Sequence, residues 1–104
     1  MRKFAVYIHR CNNTNAIIYA GIASEQPGKA YTDKQRFPRA FDWSHPAGGK
    51  GGRKPDHAAW LSCNDYSVEI AYEYDCRSEA KNKETELIKL IRPRFNRSEN
   101  PDRM

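Results

Sequence analysis

Between Lys3 and His9 the chain alternates: Phe4, Val6 and Ile8 fall on one side of an extended backbone, and Ala5, Tyr7 and His9 on the other. A period of two is strand geometry, and the Tyr7 side is the more polar. Turn formers follow in Cys11-Asn12-Asn13-Thr14-Asn15, and then a β-branched run from Ala16 to Ile22. Together they predict a hairpin with a loop of about five residues. Gly21 is expected to end or kink its second strand.

From Asp33 to Ser44 the pattern changes to that of a helix, with Phe37, Ala40, Phe41 and Ser44 on one side. Pro38 suits a first turn and breaks an interior, which moves the predicted start toward Phe37. Pro55-Asp56 opens a short helix to about Ser62. Tyr66 to Tyr74 is a third strand, with Val68, Ile70, Tyr72 and Tyr74 against Glu69, Ala71 and Glu73. Ser78 is the expected N-cap of a last helix from Glu79 to about Arg92, stopped by Pro93. There is no internal repeat and no linker. The elements make one domain over residues 1–96, followed by a frayed, disordered tail over 97–104.

Composition narrows the picture. A chain of 104 residues holds one small core that buries about 60–70% of its unfolded surface. It is polar, with 30% charged residues, yet twelve aromatics and clustered Ile and Leu set it apart from a disordered chain. Its longest apolar stretch, Ala16 to Ile22, is far below the roughly 18 residues of a membrane span. A membrane protein, a collagen, a coiled coil and a multi-domain assembly are excluded. No signal peptide is expected at Met1-Arg2-Lys3-Phe4. Cys11, Cys63 and Cys76 cannot all pair within one chain and lack metal spacing, so inert thiols in a reducing cytoplasm are the expectation.

The net charge of +5 is concentrated in one block. Residues 29–54 carry seven basic side chains (Lys29, Lys34, Arg36, Arg39, Lys50, Arg53, Lys54) and two acidic ones, and the rest of the chain balances. Phe37, Phe41 and Trp43 lie within the block. A basic segment interleaved with aromatics fits a polyphosphate partner, because Lys and Arg release counterions from the phosphate backbone. A solvated basic loop fits as well. Ala47 to Arg53, with four glycines in five positions, is a basic lid or a tolerated insertion; it lacks the residues of a P-loop.

The last helix carries the most specific chemistry. Ala80, Leu87, Ile88 and Ile91 form one stripe, and Glu84 lies near its middle. A carboxylate facing a core costs several kcal/mol unless paired or bound to a cation. Either an ion pair at the core edge or a metal would satisfy it. A single hard carboxylate holds Mg²⁺ well when water and substrate phosphate complete the shell.

These residues together resemble the GIY-YIG nuclease family over residues 4–96. The two strand motifs that name the family appear as Ala5-Val6-Tyr7 and Tyr19-Ala20-Gly21. Arg36-Phe37-Pro38-Arg39-Ala40-Phe41 is similar to the arginine-bearing first helix. Glu84 through Pro93-Arg94-Phe95-Asn96 is similar to the last helix, with the family's twelve-residue step from Glu84 to Asn96. The resemblance implies an α+β fold, a three-stranded antiparallel sheet flanked by helices. It implies a metal-dependent DNA endonuclease using Mg²⁺, for which Mn²⁺ substitutes, and acting as monomer or homodimer. Glu84 would hold the metal, Arg36 (or Arg39) would neutralise the phosphate, and Tyr7 would orient or activate water with Tyr19 in support. Gly21 and Asn96 would orient the site. The family's helical His or Tyr is Ala40 here, which leaves His9 or His45 for a proton relay. Lys34, Arg39, Lys50, Arg53 and Lys54 would lie along the DNA backbone. A non-catalytic nucleic-acid-binding module with the same fold is the alternative.

Overall fold

The computed structural model describes residues 2–26, 28, 32–41 and 55–96. His45, Lys50, Arg53, Lys54, the glycine-rich segment and the tail over 97–104 lie outside the described residues.

Three strands form one antiparallel sheet: β1 (Phe4–Cys11), β2 (Ile17–Ser24) and β3 (Tyr66–Tyr74), in the order β2-β1-β3. Four helices accompany it: α1 (Asp33–Arg36), α2 (Pro38–Phe41), α3 (Pro55–Cys63) and α4 (Arg77–Ile91). The architecture is α+β, with helices packed against a three-stranded sheet.

As the central strand, β1 is covered on both faces. Its Ala5-Tyr7 face packs against Ala23 of β2, Phe37 and Ala40. On the other face Ile8 packs with Ala20 and Ile88 of α4. Alternation along β1 therefore separates two buried surfaces, and His9, expected on a polar side, is wholly buried. A third cluster joins Cys11, Ile18, Leu61 of α3 and Phe95 beyond one end of the sheet.

Gly21 neither ends nor kinks β2, which runs on to Ser24 with Gly21 paired to Tyr7. The irregularity falls earlier. His9 pairs Tyr19 and Arg10 pairs Ile17, leaving Ile18 as the extra residue of a bulge. The helical stretch after Asp33 is divided. Thr32 caps α1 by accepting the Gln35 N–H at 3.1 Å, Phe37 leaves helical geometry, and Pro38 opens α2, as a proline at a first position does. The last helix begins two residues before the expected start. Cys76, not Ser78, stands at its N-cap, and Ser78 lies in the first turn with its hydroxyl 2.8 Å from the Cys76 Sγ. Arg92 closes the helix in a left-handed conformation, φ 57°, its N–H bonded to the Ile88 carbonyl. The three cysteines are unpaired; Cys11 is buried, and Cys63 and Cys76 are exposed. Among the described residues no helix is long and apolar enough to cross a membrane.

Candidate functional site

Tyr7, Tyr19 and Gly21 come together on one face. Cross-strand partners share a face, so the pairs Tyr7–Gly21 and His9–Tyr19 set these four residues side by side. The ring centroids of Tyr7 and Tyr19 are 6.0 Å apart. A Cβ built on Gly21 would lie 2.6 Å from both Cζ and Oη of Tyr7 and 2.8 Å from Cε2 of Tyr19. No real side chain tolerates such distances. The Tyr7 phenol thus lies across β2, an edge strand, in the space a side chain at position 21 would fill.

His9 completes the group. Its Nε2 lies 2.7 Å from the Ala40 carbonyl oxygen, and its Nδ1 lies 3.1 Å from Nε2 of His57 on α3. Both imidazoles are almost inaccessible to solvent. The His57 ring stacks on Phe95 with 14° between planes and packs 4.4 Å from Tyr19. No pattern in the sequence near His57 marks a partner 48 residues away.

Asn96 grips the outer edge of β2. Its Oδ1 accepts the Ala20 N–H and its Nδ2 donates to the Ala20 carbonyl, each at 2.8 Å, while the Phe95 N–H donates to the Ile18 carbonyl. The side-chain amide thus reproduces one step of a β-ladder on the residue before Gly21, and all four buried groups are satisfied.

Glu84 is buried on the sheet-facing stripe of α4 with Ala80 and Ile88. Its partner is Lys81, one turn back, at 2.9 Å. Because Ile88 rests on Ile8 and Ala20, whose side chains alternate with those of Tyr7 and Gly21, Glu84 meets the sheet from the face opposite the tyrosines. The structure does not bring Glu84 and Tyr7 together across the sheet. The Tyr7 phenol lies buried over Gly21 on its own face, and Asn96 ties the chain after α4 to the outer edge of β2.

Arg36 is held by carboxylates. Its Nε donates to Glu25 at 2.9 Å and its terminal nitrogens donate to Glu73, with Asp33 at 3.8 Å. Glu73 first, then Glu25, hold the guanidinium firmly protonated. In return Arg36, helped by the Lys3 backbone N–H, pulls the Glu25 carboxyl below its ordinary range. Arg39 is half-buried on α2, and Lys34 is exposed on α1. Among the described residues no three metal-ligating side chains converge.

No protein-family model, curated protein or solved structure matches this chain.

Proposed function

We propose that the chain is a metal-dependent DNA endonuclease whose reaction centre lies at the outer edge of β2, beside Gly21. The observation that supports this best is the fit at Gly21. Its missing side chain lets the Tyr7 phenol reach across the edge strand, and the adjacent residue, Ala20, is where Asn96 anchors the helix that carries Glu84.

A single buried carboxylate suits Mg²⁺ or Mn²⁺, which bind through one or two carboxylates and keep waters and substrate phosphate in the shell. A metal held by Glu84 supplies Lewis acidity to the scissile phosphate and stabilises the leaving oxygen. Lys81, half exposed, swings into solvent when a cation takes its place. Tyr7 orients the attacking water through its hydroxyl, and Tyr19 holds the Tyr7 ring in line. Arg36, occupied by Glu25 and Glu73, steadies α1 and with it Phe37 beneath Tyr7. We assign the phosphate contact to the basic segment over 29–54.

A non-catalytic nucleic-acid-binding module is the second reading. It is favoured by the Lys81–Glu84 pair and by the sheet that stands between Glu84 and Tyr7. Supercoiled plasmid incubated with Mg²⁺ or with EDTA, using wild type, Glu84→Ala and Glu84→Gln, decides between them. The expected result is Mg²⁺-dependent conversion to open circle that both variants lose, while Glu84→Gln keeps or gains thermal stability because a charge leaves the core face. Salt-sensitive binding without cleavage of plasmid or single-stranded DNA would leave the binding module standing and end the enzyme reading.

A further inference from the structure

The buried His9–His57 pair has one arrangement of protons that its surroundings permit. The Ala40 carbonyl only accepts, so His9 Nε2 carries a hydrogen. In the uncharged pair His9 Nδ1 is then a lone pair, and the hydrogen between the rings belongs to His57 Nε2. Only one hydrogen fits between nitrogens 3.1 Å apart. Both ring nitrogens of His9 are thereby engaged. The two bonds make a chain: α3 through His57, β1 through His9, and α2 through Ala40. The His57 ring also fills the space between Tyr19 and Phe95. The other described ionisable groups around the pair are the phenols of Tyr7, Tyr19 and Tyr66, and Asp56 beside His57.

We propose that His57 is a positioning residue of the site at β2. By donating its Nε2 hydrogen to His9 Nδ1 it satisfies the lone pair that the Ala40 bond leaves on His9, and so supports the docking of α2, with Arg39, over the face that carries Tyr7 and Tyr19. The pairing stands on geometry alone; its consequence for turnover rests on the nuclease reading.

Long-range ¹H–¹⁵N spectra of the imidazoles, with nicking kinetics under Mg²⁺, test this in wild type, His57→Gln and His57→Phe. Glutamine keeps a donor near the Nε2 position. Phenylalanine keeps the stacked ring and removes the donor. Wild type is expected to show His9 as a single Nε2–H tautomer, and His57→Gln to keep that tautomer and nick within about three-fold of wild type. His57→Phe is expected to keep the Nε2–H tautomer that Ala40 demands, strand the His9 Nδ1 lone pair and lose about ten-fold in kcat with KM unchanged, the size of effect that follows from stranding one buried acceptor. A wild-type His9 protonated at Nδ1, or a folded His57→Phe with wild-type kcat, overturns the proposal. If His57→Phe does not fold, the wild-type tautomer and the His57→Gln kinetics still decide. Wild-type protein that never cleaves DNA, yet shows the single tautomer, ends the nuclease reading and confines His57 to holding α2 and α3 on the sheet.

Discussion

Tyr7 can lie across β2 only because the residue opposite it, Gly21, has no side chain. The clash in Gly21→Ala would fall on the end of a tyrosine that is itself buried and cannot swing aside. Overpacking of this kind costs about 1–3 kcal/mol. We therefore expect Gly21→Ala to lower the denaturation midpoint by that much. Nicking by the folded variant should fall by more than the stability loss explains, since the phenol is what moves. Both readings come from one preparation, by denaturant titration and plasmid assay. In the sequence Glu84 was legible from its helical stripe, and Tyr7, Tyr19, Gly21 and Asn96 only through the family resemblance. His57 was not, because its partner is brought to it by three intervening elements.

Between elements, two polar staples hold the sheet in place. Asn96 closes the edge of β2 with two bonds to Ala20. Leaving a buried N–H or C=O unpaired costs about 1–3 kcal/mol for each group. Asn96→Leu is accordingly expected to rank among the most destabilising single changes, and urea titration measures it. Arg36 ties α1 to Glu25 after β2 and to Glu73 of β3. The Glu25 carboxyl titrates lower in the folded chain than in the unfolded one, so the unfolded state binds more protons between the two values. Its contribution is complete above the ordinary carboxylate range and disappears as pH falls through the depressed folded value. Wild type and Glu25→Gln should therefore differ in stability near neutral pH and converge on acidification, in denaturant midpoints taken along a pH series. At this scale Pro38 marked the start of α2, while the separate turn of α1 ahead of it was not foreseen. Nothing local announced that α4 would start at Arg77 on Cys76, because a cap with no side-chain hydrogen bond leaves no residue signature.

At the scale of the molecule, the basic excess falls in one block of the sequence, residues 29–54. If Lys50, Arg53 and Lys54 meet phosphates, each neutralising substitution removes close to one unit from the slope of log affinity against log salt. The triple change to serine is expected to weaken binding to all duplexes alike and to flatten that slope by about three units. Fluorescence anisotropy of a labelled duplex over a salt series reads both. Equal slopes for wild type and variant would assign the block to solvent.

The sequence by itself determined the three strands, the helix after β3 and the odd placement of a carboxylate on that helix. Each follows from local periodicity, which the backbone imposes wherever a segment has one buried side. Tertiary structure decided what periodicity cannot encode. Because β1 is central, both its faces are buried, and a side that reads as polar becomes the wall that holds Tyr7, His9 and His57. Because α4 packs on the other face, Glu84 and the tyrosines can meet only around β2. Which elements cover which face is settled by the whole set of contacts, and no window of the chain contains it.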